Sequence, residues 1–126
     1  MKMHPLQKIT AVLLELHSLA ACACVVYFSV FNVILAEDHD PNINIWLLCF
    51  FVLMAMIAVM LEVVVGKNTQ NQDSLVNLQA LALAAAVCNG CAWFSGAACG
   101  QVWLPFPIGV ALCIVYLYGL KKTVEE

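Results

Sequence analysis

Residues 45–66 read IWLLCFFVLMAMIAVMLEVVVG, and Glu62 is the only charged residue among them. At about 1.5 Å of rise per residue, a helix of this length covers roughly 33 Å, enough for the hydrocarbon core of a bilayer. The run shows no strand-like alternation. In lipid, only a helix or a closed barrel satisfies every backbone amide and carbonyl. The stretch therefore reads as a transmembrane helix.

Working outward, further apolar runs fall at 9–36, 75–94 and 102–120. Of the 126 residues, 64% are hydrophobic and 10% charged, where soluble domains average about 45–50% and 25%. One domain fits that length, and a soluble one could not cover so much apolar surface. The opening MKMHPLQKITAVLLELHS has the basic start of a signal peptide. Its apolar run is too long for one and carries Glu15 and His17, so it reads as a retained first span. The connections EDHDPNIN (37–44), KNTQNQDS (67–74) and SGAACGQ (95–101) are short. They predict an all-α membrane protein, four helices in an up-down-up-down bundle.

Lysine placement orients that bundle. Lys2 and Lys8 precede span one, Lys67 lies between spans two and three, and Lys121 and Lys122 follow span four. All fall on one side, while Glu37, Asp38 and Asp40 fall on the other. The positive-inside rule then predicts both termini in the cytoplasm. Trp46, Trp93 and Trp103 are expected at the outer interface, with Tyr116 and Tyr118 toward the inner one. Pro105 and Pro107 open the fourth span, where a missing amide donor costs little. Ala82, Ala86 and Gly90 form a small-residue stripe on span three that lets another helix approach closely.

Several function classes drop out. The chain has no arginine, hence no bidentate phosphate clamp and no basic face for nucleic acid. Nucleotide-binding glycine motifs and a C-terminal lipidation box are absent too. Haem between helices would need two facing axial ligands, and His17 is the only histidine within a span. Zinc would need about four ligands, and no histidine is placed to help the cysteines. No cofactor, metal or catalytic residue is expected.

Glu15, His17 and Glu62 are the ionisable residues nearest to lipid, where a charge by default marks a site. Counting inward from the outer ends at Ala36 and Trp46 places all three near the cytoplasmic boundary, as an intramembrane polar cluster with a His17–Glu62 contact. Glu15 and His17 are two apart and face differently, so only one of them is expected to face span two. An acid in span one also resembles that of small multidrug-resistance transporters, whose glycine-rich third span is missing here.

Of seven cysteines, Cys22, Cys24, Cys49 and Cys113 lie inside apolar spans, where a thiol acts as a small hydrophobe. Cys88 and Cys91 share a helix face near the outer end of span three, and Cys99 follows in the loop. This Cys-x-x-Cys resembles that of four-helix oxidoreductases of the vitamin K epoxide reductase and disulfide-bond-forming kinds. Their electron relay needs a second outer cysteine pair, and loop 37–44 has none. Packing is the expected role, with a structural disulfide from Cys99 to Cys88 or Cys91 as the alternative.

One family pattern covers the whole topology. His17 sits early in span one within LELHSLAACACVVYF, and Glu62 lies near the end of span two. The connection carries Asn68, Thr69 and Gln70, span three is rich in small residues, and the chain closes on Gly119, Leu120, Lys121 and Lys122. This layout resembles the transmembrane protein 107 family, four-helix proteins of the ciliary transition zone. The departures are a shorter first outer loop and an uncharged third one. The resemblance implies an architectural role, assembling the Meckel-syndrome protein module and supporting the ciliary gate. It implies structural contacts at Glu62 and at Asn68–Gln70, and no catalysis.

The sequence thus predicts a non-catalytic scaffold or accessory subunit. Its expected partners are the bilayer and other membrane proteins, met through lateral helix contacts as a homo- or hetero-oligomer. The alternatives are an accessory subunit of an organellar or endoplasmic-reticulum complex, and a small proton-coupled transporter using Glu15.

Overall fold

A computed structural model describes residues 5–29, 45–70, 75–98 and 105–125. These form four helices: α1 (Pro5–Ser29), α2 (Ile45–Gln70), α3 (Leu75–Ala98) and α4 (Pro105–Glu125). Each contains a stretch long and apolar enough to cross a membrane: Pro5–Tyr27, Cys49–Thr69, Val76–Ala98 and Pro105–Thr123. The acidic loop 37–44, Trp103 and Cys99 lie outside the described residues.

Helix boundaries shift from those read off hydropathy. α1 is helical already at Pro5, ahead of the run read from residue 9, and α4 is helical from Pro105. α2 runs on through Lys67–Gln70, so Asn68–Gln70 is the last turn of a helix and not a connection. Hydropathy marks where a span leaves lipid, and a polar helix end can project beyond that point.

α1 packs against α2 and α4, and α3 packs against the same two helices. The interior is layered. One apolar cluster joins Ala11, Leu14, Val65, Ala82, Ala85, Cys113 and Tyr116. A second joins Ala21, Val25, Phe51, Ala55, Ala92 and Phe106, with Phe51 and Phe106 edge to face at 5.4 Å. Between them lie His17, Glu62 and Asn89, all buried. The outer faces carry exposed apolar side chains on every helix, among them Leu19, Met60, Phe94 and Ile114. Polar groups turned inward and apolar groups turned outward suit a lipid solvent.

Close packing uses a stripe rotated from Ala82, Ala86 and Gly90. Ala82 is fully buried and Ala86 packs at the edge of the first cluster. The other buried small residues of α3 include Ala85, Ala92, Ser95 and Gly96. A Cβ on Gly90 would meet nothing within 4 Å. The glycine that brings two backbones together is Gly119, whose added Cβ would sit 2.9 Å from the Gln7 nitrogen and 3.2 Å from its Cα.

These two glycines make a matched test. Gly119→Ala forces α4 off α1 and should cost about 1–3 kcal/mol, the usual range for overpacking. Gly90→Ala adds a methyl in open space and should be neutral, or stabilising by up to about 1 kcal/mol through helix propensity. Denaturant unfolding of the purified chain in detergent micelles would measure both.

Candidate functional site

The middle layer is built by one group from each helix. His17 on α1 meets Glu62 on α2, with Nδ1 lying 3.0 and 2.9 Å from the two carboxylate oxygens. Its Nε2 lies 2.6 Å from the carbonyl oxygen of Pro105, the first residue of α4. From α3, Asn89 donates through Nδ2 to Glu62 Oε1 at 2.9 Å and to the Ala85 carbonyl at 2.9 Å. Among the described residues, Asn89 Oδ1 has no hydrogen-bond partner. The reverse amide orientation would set that oxygen against two acceptors, so the orphan is the better compromise.

Gly109 makes the convergence sterically feasible. A Cβ there would come 2.5 Å from Asn89 Oδ1 and 2.6 Å from His17 Cε1. With hydrogen in its place, the α4 backbone closes over both side chains. The hydrophobic walls on either side, led by Leu14 and Phe106, are fully buried. A carboxylate in such surroundings is tolerated only when paired and hydrogen-bonded.

A second polar layer lies toward the ends of α1, α2 and α4. Gln7 donates through Nε2 to the Tyr116 hydroxyl at 3.3 Å, and Thr123 donates to Gln7 Oε1 at 2.8 Å. Thr69 and Tyr116 hydroxyls meet at 2.6 Å, joining α2 to α4 across the bundle. Thr69 also donates back to the Val65 carbonyl at 2.7 Å, a bond that lets a hydroxyl sit inside a helix.

The expected His17–Glu62 contact is present. Along α1, His17 falls inside the apolar stretch Pro5–Tyr27; Ala36, from which the boundary is counted, lies outside the described residues. Glu15 does not face away from α2. It is half-buried, and a methyl group on Gly66 would run into its carboxylate and Cγ. Gly66 exposes bare backbone one turn from Glu62, and a flexible glutamate can lie across it, so both α1 side chains reach α2. Thr69, on the connection that the family resemblance singled out, bonds to α4. Cys88 and Cys91 are free thiols; their proposed partner Cys99 lies outside the described residues.

Sequence reading missed Asn89, the Pro105 carbonyl and the whole Gln7–Tyr116–Thr123 layer. Asn89 could have been found, since an asparagine inside an apolar span is itself a polar group seeking partners. A backbone carbonyl carries no side-chain signal.

Among the described residues, no group of three or more His, Cys, Asp or Glu side chains could hold a metal ion. What the arrangement does chemically is cross-link four helices. Glu62→Ala would leave His17 Nδ1 without a partner and Asn89 Nδ2 with the Ala85 carbonyl alone, and should cost about 3–5 kcal/mol, as removing one partner of a buried pair does. The double replacement His17→Met with Glu62→Met removes both polar groups and should cost clearly less than Glu62→Ala alone. Unfolding in detergent read by circular dichroism checks the order. A double variant worse than the single one would show that the pair contributes net stability.

Comparison with known proteins gives no match: no family model fits the chain, and no curated protein or solved structure is significantly similar to it.

Proposed function

We propose that this chain is a non-catalytic architectural subunit of a membrane complex. We place it as an up-down-up-down bundle with both termini on the cytoplasmic side, at the ciliary transition zone. One observation carries the reading. Four of the residues behind the resemblance to the transmembrane protein 107 family tie helices together. His17 and Glu62 bond each other, Thr69 bonds Tyr116, and Gly119 receives the backbone of Gln7. Side chains committed to holding helices together are what a scaffold requires.

Surface chemistry supports the same class. Most interior polar groups bond to each other or to backbone carbonyls, and what the helices offer outward is largely apolar, suited to lipid and to lateral helix contacts. The topology has support as well. Lys8 adjoins Gln7, Lys67 lies two residues before Thr69, and Lys121 and Lys122 lie just before Thr123. Because Gln7, Thr69 and Thr123 gather around Tyr116, these lysines share one end of the bundle. Trp46 and Trp93 lie toward the other end, beside the Phe51–Ala92 cluster.

A fluorescently tagged copy of the full chain in ciliated cells tests the placement. Signal confined to a ring at the ciliary base is the expected outcome. Reticular or mitochondrial signal in cells with intact cilia would sink the ciliary reading and leave an accessory subunit of those membranes.

A further inference from the structure

A carbonyl oxygen can only accept, so the 2.6 Å contact from His17 Nε2 to Pro105 requires a proton on Nε2. The other ring nitrogen faces both oxygens of Glu62. With no further proton, a lone pair on Nδ1 would oppose carboxylate lone pairs in a buried layer. With a proton on each partner, the pair would carry net positive charge among apolar side chains. One proton between them satisfies the geometry and leaves the pair neutral overall.

We infer that His17 and Glu62 form a proton-binding site that holds a single proton between Nδ1 and the carboxylate, and that this proton fastens the first turn of α4 to α1 and α2. The ring is the connecting piece. Its Nδ1 bond to Glu62 fixes its plane, and the same plane aims Nε2 at Pro105. Once the shared proton is lost, the ring is no longer held to Glu62, and the anchor on α4 goes with it. Glu62 is kept in place independently by Asn89 Nδ2.

The groups around the pair leave that proton as its main electrostatic control. α3 presents the neutral Asn89, and α4 presents the buried thiol of Cys113. On α1, Glu15 lies over Gly66, and on α2 Lys67 is exposed, beyond Glu62 toward the helix end. This reading does not depend on which membrane complex the chain serves.

The test uses the full chain in lipid nanodiscs with nitrogen-15 histidine, and with His4→Gln and His39→Gln so that His17 alone reports. Two signals are expected: a protonated Nε2, and a strongly downfield proton coupled to Nδ1. In Glu62→Leu, which can neither share a proton with Nδ1 nor donate to it, the downfield proton should vanish. Amide exchange at Gly109 and Val110, whose N–H groups close the first turn of α4, should quicken by roughly tenfold, the scale of one charge-assisted hydrogen bond, while exchange around Tyr116 stays unchanged. An unprotonated Nε2, a bare Nδ1 beside Glu62, or equal exchange in both proteins would overturn the inference. Should Glu62→Leu fail to fold, the two nitrogen signals of the parent chain decide it alone.

Discussion

The contact between His17 and Glu62 constrains everything around it. An ionised carboxylate alone in an apolar interior is prohibitively costly, and so is a lone imidazolium. Brought together they cancel, provided that the remaining lone pairs and protons also find partners. Those partners come from the other two helices: the Asn89 amide on α3 and the Pro105 carbonyl on α4. A translation or rotation of any one helix would break a bond in the layer. The layer therefore fixes the register of the bundle, which apolar packing alone specifies weakly.

Register matters more here than in a soluble bundle. Lipid tails are as apolar as the side chains that pack, so burial of apolar area adds little drive for helix association. Close packing of small residues and interhelical hydrogen bonds have to supply it. Both are present in alternation: a polar layer at Tyr116, an apolar cluster of alanines with Leu14 and Val65, the His17 layer, and a second cluster around Phe51 and Phe106. Gly109 and Gly119 sit where α4 must come closest to the polar side chains and to α1. Each polar layer is thus paired with a glycine that lets it close.

The sequence made the helices legible because membrane hydropathy is a strong and local signal. It also exposed the pairing of His17 with Glu62, because ionisable residues are rare enough in apolar spans that two on neighbouring helices point at each other. It could not show that Asn89 completes the set, since that requires the rotation of α3 relative to α2. The small-residue stripe illustrates the limit. Ala82, Ala86 and Gly90 share a face by spacing, yet Gly90 opens on no neighbour, whereas Ala85 and Ala92 are buried. Spacing defines a face, and only the neighbouring helices decide which face is used.

Under the scaffold role we propose, a bundle built this way separates the setting of shape from the meeting of partners. Its polar chemistry is spent on internal bonds, so the outward faces can remain apolar without losing a defined geometry. Specific recognition between such surfaces then rests on relief, the pattern of small and large side chains held at fixed positions. That relief is only as constant as the register beneath it. A single buried imidazole, touching α2 through one nitrogen and α4 through the other, consequently governs surfaces that it never reaches.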